Sequence, residues 1–221
     1  MGDTVELKAS DGHLLGGYRA DPEGSARGGI VLIHEVFGIN AHIRGVADGY
    51  AAEGYAMLAP ALFDRVARGV ELGYDAEGLA RGRALRGELG WDAPVLDIRA
   101  ACEALAAHGK VAAIGYCWGG SLAWLAATRL HFDGSIGYYG GQINDFITEQ
   151  PRCPTMLHFG EHDAFVPNAH WRAIREQHPE VALYTYPAGH GFNCERRSDY
   201  HEQSALLARE RSLAFLREHL G

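Results

Sequence analysis

Apolar positions in this chain come either in short unbroken runs or at helical spacing, and the two kinds alternate. Gly29-Ile30-Val31-Leu32-Ile33-His34 and Tyr55-Ala56-Met57-Leu58-Ala59-Pro60 are continuous apolar runs, the mark of strands buried on both faces of a parallel sheet. Between them, Ile43, Val46, Ala47, Tyr50 and Ala51 fall close to helical spacing and predict a helix from His42 to Glu53, capped by Gly54. Upstream, Val5–Ala9 and Leu14–Ala20 flank Ser10-Asp11-Gly12-His13 and predict a β-hairpin with an Asp-Gly turn.

Further along, residues 66–90 are polar and interrupted by glycine, with weak helical patches, an excursion of the kind that forms a lid or pocket wall. Asp92-Ala93-Pro94 predicts a helix start with Asp92 as N-cap, a buried stripe of Val95, Ile98, Ala101, Cys102 and Leu105, and a stop at Gly109. Val111-Ala112-Ala113-Ile114 is a third buried strand, followed after a turn by the helix-forming run Ser121–Ala127. Strands are expected at 133–140, 154–160 and 181–186, with a helix through Trp171 and Ile174 before the last. The segment Tyr200–Leu220 is amphipathic, with Leu206, Leu207, Leu213, Phe215 and Leu216 expected inward. No repeat, low-complexity stretch or linker interrupts the pattern, which predicts one α/β domain over residues 1–221.

Composition narrows the function classes. A formal charge of −8 argues against a nucleic-acid partner, which wants a basic face. No apolar run approaches the ~20 residues of a membrane span, and the acidic start carries no signal-peptide core. The four cysteines, Cys102, Cys117, Cys153 and Cys194, lie far apart without metal-like spacing, which fits free thiols in a reducing cytoplasm. Monomer and homodimer both stay open.

The chemistry gathers at Gly115-Tyr116-Cys117-Trp118-Gly119-Gly120. Strand, tight turn and helix follow one another with Gly-x-Cys-x-Gly at the turn, the thiol counterpart of the Gly-x-Ser-x-Gly elbow. Such a turn holds the nucleophile on a strained backbone and tolerates no bulky neighbour. The helix from Trp118 aims its positive end at the sulfur. A cysteine after a strand is also commonly just a small buried hydrophobe, so the elbow needs partners.

Asp163 and His190 supply them. Each lies just past a predicted strand, giving the order nucleophile, acid, histidine of the α/β-hydrolase arrangement. The imidazole completes deprotonation of the thiol and the carboxylate fixes its tautomer. Taken singly, His190 reads as a loop histidine and Asp163 as a turn residue; together with Cys117 they read as a triad. Glu161 is the rival acid, His162 and His158 the rival bases. Glu35 ends the first apolar run, where α/β proteins place chemistry. His34-Glu35 lacks the second histidine of His-Glu-x-x-His, so no metal is expected. Near Cys117 its charge would oppose thiolate formation, which suggests gating. The Val36 and Trp118 N–H groups are candidates for an oxyanion hole.

His34-Glu35-Val36-Phe37-Gly38, the Cys117 elbow, Gly137-Tyr138-Tyr139-Gly140, Gly160-Glu161-His162-Asp163-Ala164-Phe165-Val166-Pro167 and Ala188-Gly189-His190-Gly191-Phe192 together resemble the dienelactone hydrolase family over nearly the whole chain. The resemblance implies an α/β-hydrolase fold, a mostly parallel central sheet with helices on both faces. It implies a Cys117–His190–Asp163 triad that opens an unsaturated lactone, with Glu35 taking the thiol proton when substrate binds. Two arginines hold the substrate carboxylate in that family. Arg65 resembles one, while the position of the other, four residues after the histidine, is Cys194, with Arg196 and Arg197 out of register. Phe37 and Tyr138, in the matching segments, are further candidate substrate contacts.

The expectation is a cytoplasmic hydrolase of a small lactone or carboxylic ester, dienelactone among the candidates, working without cofactor. The alternatives are a thioesterase or acyltransferase on a larger acyl group, and a non-catalytic hydrolase-fold protein that binds ligand or senses redox state.

Overall fold

The computed structural model describes residues 2–221. Its contacts gather into two compact units, one ending at Ala112 and one spanning Ala113–Gly221.

In the first unit the strands run β1 (Asp3–Lys8), β2 (Leu14–Ala20), β3 (Gly29–Ile33) and β4 (Ala56–Pro60), in the spatial order β1-β2-β4-β3. The β1–β2 hairpin is antiparallel, with Gly12 at φ 89° in its turn, and β2 continues antiparallel onto β4. β3 and β4 are parallel and buried along their whole length, as their unbroken apolar runs require. Parallel strands need a crossover, and α1 (Ala41–Ala51) provides it. The Asn40 side chain caps α1 by accepting from the His42 and Ile43 N–H groups.

Two helices in this unit depart from the sequence expectation. Residues 66–90 contain a full helix, α2 (Ala76–Leu89), capped by Asp75. Its glycines disguise it: a Cβ on Gly82 would lie 1.9 Å from the Val36 carbonyl oxygen, so helix and loop meet only because Gly82 has none. Trp91 rather than Asp92 occupies the N-cap position of α3 (Asp92–Leu105), and Asp92 sits inside the first turn, where its negative charge faces the helix's positive end. Its stripe buries Val95, Ile98, Ala101 and Leu105 as expected, but takes in Asp97 and leaves Cys102 half-buried.

The second unit begins within β5 (Val111–Tyr116) and continues through α4 (Trp118–Arg129), β6 (Gly134–Tyr138), β7 (Thr155–Gly160), α5 (Asn168–Gln177), β8 (Ala182–Tyr186) and α6 (Glu202–His219). The strands lie in sequence order, with β6, β7 and β8 parallel, and α4 packs on β6. α6 packs on β6 and β7 through Leu213, Phe215 and Leu216. Leu206 and Leu207, expected inward, are 61% and 41% exposed. The inward face of α6's first turns is built from Ser204, Ala205 and Ala208 instead. Among the described residues no helix is long and apolar enough to cross a membrane.

Candidate active site

Cys117 is the hinge between β5 and α4, and its backbone is strained, at φ 54° and ψ −115°. A non-glycine residue holds such angles only where its surroundings over-determine them. Two contacts do so. A Cβ on Gly115 would lie 1.8 Å from the Gly119 carbonyl oxygen, so the turn closes only around glycine. The Cys117 N–H donates to the Tyr138 carbonyl at 2.9 Å, tying the elbow to the end of β6. The thiol is thereby presented at the N-terminus of α4.

The loops after β7 and β8 carry the partners. His190 Nε2 lies 3.1 Å from Cys117 Sγ, and His190 Nδ1 donates to Asp163 Oδ2 at 2.7 Å. Asp163 Oδ1 accepts from the Phe165 and Val166 N–H groups at 2.7 and 3.0 Å. The carboxylate is therefore an oriented acceptor with hydrogen bonds to both oxygens. His190 is nearly buried, and burial by itself would lower its pKa. The charge on the Cys117 sulfur and the bond to Asp163 outweigh burial and push it up to about 10. An imidazole so placed favours its protonated form.

Glu161 and His158 are engaged elsewhere. Glu161 accepts from Thr185 Oγ1 at 2.8 Å on an exposed edge. His158 is fully buried and bonds Tyr186 and Ser212. His162 is exposed, and its backbone N–H ties its loop to the Ala188 carbonyl.

Aromatic rings that the sequence did not single out frame the imidazole. The Tyr139 ring lies 5.1 Å from that of His190, held there by a second strained backbone at φ 41°. Phe165, half exposed, meets the same imidazole edge-on at 5.1 Å. Both sit beside residues already picked out, but only the fold turns their rings onto His190. Arg197, out of register in the sequence, also reaches the histidine loop. Its side chain lies across Gly191, where a Cβ would come within 2.6 Å of its Nε. Tyr138, expected to touch substrate, is wholly buried with its hydroxyl bonded to Ser212 Oγ at 2.7 Å. Its backbone anchors Cys117; its side chain belongs to the core.

In the N-terminal unit, Glu35, Val36 and Phe37 share the loop after β3, and all three are buried. The 66–90 segment clasps this loop. The Tyr74 hydroxyl donates to Glu35 Oε2 at 3.1 Å, and the Leu72 N–H donates to the Phe37 carbonyl at 2.9 Å. The Phe37 and Tyr74 rings meet at 4.5 Å. Arg65 differs from the substrate-binding expectation. Its guanidinium forks onto Asp97 with two bonds of 2.8 Å and donates to Asp11 at 2.7 Å. Asp97 is a fully buried carboxylate, so Arg65 is committed to neutralising it.

The family model of the dienelactone hydrolases matches residues 15–220. A carboxymethylenebutenolidase of Pseudomonas putida is 33% identical, over 97% of this chain and 95% of its own length. Carboxymethylenebutenolidase 1 of Cupriavidus pinatubonensis is 30% identical over 98% and 97%. Among solved structures, one from Klebsiella pneumoniae subsp. pneumoniae MGH 78578, provisionally assigned as a dienelactone hydrolase, superposes with a TM-score of 0.84 at 24% identity, covering 97% of this chain and 98% of its own. The dienelactone hydrolase-like promiscuous phosphotriesterase P91 superposes at 0.74, with 21% identity over 100% and 99%. These likenesses place the chain in the α/β-hydrolase fold, and the match over almost its full length makes it a member of the dienelactone hydrolase family, enzymes that hydrolyse esters and lactones.

Proposed function

We propose that this protein hydrolyses a small lactone or carboxylic ester by acyl transfer through Cys117. The observation that carries the reading is the unbroken line from sulfur to imidazole to carboxylate, 3.1 and 2.7 Å per step, starting from a strained elbow. The thiolate attacks the carbonyl carbon, and the resulting oxyanion is stabilised by the N–H of Trp118 in the first turn of α4. The C–O bond breaks, the alkoxide takes the proton held on His190, and an acyl-thioester remains on Cys117. A water then loses a proton to His190 as its oxygen adds to the thioester, and collapse expels the thiolate and releases the acid. Asp163 holds the imidazole in one orientation through both halves. The roles expected for Glu35, Val36 and Phe37 are part of the same proposal.

Acidic lactones, dienelactone among them, are the favoured substrates within this class. With Arg65 neutralising Asp97, the arginine beside the histidine loop is Arg197, and we assign it the substrate carboxylate. The test is a rate panel of p-nitrophenyl acetate and of lactones with and without a carboxylate. Cys117→Ala is expected to lower turnover of every substrate to background, and Arg197→Gln to raise KM for the acidic lactones only. Wild-type rates in Cys117→Ala would overturn the mechanism; equal KM changes on acidic and neutral lactones would overturn the role of Arg197.

A further inference from the structure

Behind the reactive residues, inside the C-terminal unit, runs a second line of polar side chains that the mechanism does not use. Arg211 Nη1 donates to the Tyr186 hydroxyl at 3.1 Å, and that hydroxyl lies 2.8 Å from His158 Nδ1. His158 Nε2 lies 3.1 Å from Ser212 Oγ, which lies 2.7 Å from the Tyr138 hydroxyl. The direction of the line follows from Arg211, which has only donors to give. Tyr186 accepts from it and spends its own hydrogen on His158 Nδ1. A neutral imidazole then has one N–H left, on Nε2, for Ser212, and Ser212 passes its hydrogen to Tyr138. His158 is kept neutral by burial and by the nearby Arg211 charge, which together lower its pKa to about 3.

The position of this line is what gives it meaning. Tyr138 is the last residue of β6, Tyr186 the last of β8, and His158 lies between them on β7, paired with Tyr138 in the β6–β7 register. The backbones of these same three residues launch the loops of the site. The Tyr138 carbonyl accepts the Cys117 N–H at 2.9 Å, and the His158 carbonyl accepts the Tyr139 N–H at 2.7 Å. The Tyr186 carbonyl accepts the N–H groups of Glu161 and Ala188 at 2.8 and 2.7 Å, which begin the turns to Asp163 and His190. An apolar core would fill this space without the desolvation cost of five polar side chains, but it would not fix one strand end against the next.

We propose that His158, with Tyr186 and Ser212, is the positioning centre of this site: a directional hydrogen-bond line that joins the ends of β6, β7 and β8 and so sets the separation of sulfur, imidazole and carboxylate. This rests on the reading of Cys117, His190 and Asp163 as the reacting groups. None of the three proposed residues touches substrate; they act through the loops they anchor.

The test uses the full chain with His158→Leu, His158→Gln, Tyr186→Phe and Ser212→Ala, measuring kcat and KM on p-nitrophenyl acetate, the ultraviolet absorbance of the thiolate, and Tm. Breaking the line is expected to lower kcat about tenfold or more, since small misplacements of reacting groups are costly, with KM little changed. The thiolate signal at neutral pH falls with it. His158→Gln, which restores one donor and one acceptor, retains more kcat than His158→Leu. Tyr186→Phe and Ser212→Ala, which remove one oxygen each, carry the test where His158→Leu does not fold. Unchanged kcat and thiolate signal with only a lower Tm, beside an inactive Cys117→Ala, overturns this inference alone. Full activity in Cys117→Ala overturns the underlying mechanism and this inference with it.

Discussion

The two compact units treat their buried polar residues in different ways. In the C-terminal unit two sets of these groups bond to one another in lines: Cys117 to His190 to Asp163, and Arg211 through His158 to Tyr138. In the N-terminal unit each candidate is paired off with a partner from elsewhere in its own fold. Arg65 goes to Asp97 and Asp11, Glu35 accepts from Tyr74, and His34 Nδ1 donates to the Glu35 carbonyl at 2.6 Å. A line with a thiol at one end can pass a proton along it; a set of closed pairs stabilises and positions. The line proposed to react therefore lies in the C-terminal unit, and the N-terminal unit holds in place the loop bearing Glu35, Val36 and Phe37.

Breaking the first line should have the largest effect. Asp163→Asn keeps the shape but accepts less well and frees the imidazole to adopt the wrong tautomer, so kcat should fall by about 10²–10⁴, as when a triad carboxylate is neutralised. Tm should change little by comparison. A fall of less than threefold would mean that the line is not what drives the chemistry.

Breaking a closed pair should cost stability instead. Arg65→Ala strands Asp97, whose carboxyl burial already pushes up in pKa despite the ion pair. Removing one partner of a buried pair costs about 3–5 kcal/mol, read from urea unfolding, with kcat per folded molecule unchanged. A large rise in KM for acidic lactones with stability intact would return Arg65 to the substrate.

The smallest effect is a pH dependence that separates what the units share from what they do not. Each holds a buried histidine whose pKa is pushed down, His34 to about 4 and His158 to about 3, burial being the main cause in both. Unfolded histidines take up protons near pH 6.5, so from there down to about pH 4 the unfolded state binds more. Each of the two should remove about 1.4 kcal/mol of stability per pH unit as the solution is acidified. His190 has the opposite sign. Its raised pKa contributes stability that is fully present below about pH 6.5 and lost as pH rises through about 10. His158→Leu should halve the acid slope and His190→Gln should flatten the alkaline arm; an unchanged acid slope in His158→Leu would mean that this histidine is already charged in the folded protein.

Much of this was legible along the chain. The unbroken runs at Gly29–His34 and Tyr55–Pro60 became β3 and β4, and Gly-x-Cys-x-Gly became a strained elbow. Helix α2 was legible only as weak patches, because Gly78, Gly82 and Gly87 read as breaks where the fold uses Gly82 for close approach to Val36. The exposed Leu206 and Leu207 show the same limit from the other side. Apolar spacing names a face, and the packing of α6 on β6 and β7 decides how much of it is covered.

What the sequence alone determined is where strands stop and turns begin, since apolar runs, glycines and caps act within a few residues of themselves. That was enough to put a thiol, a carboxylate and an imidazole each just past a strand, in hydrolase order. Only the tertiary structure decided that Asp163 rather than Glu161 meets His190, that His158 lies inside the core, and that Arg65 answers to Asp97. Those choices turn on ångström distances between strands and loops far apart in the chain. Register and packing set such distances, and no local pattern of residues encodes them.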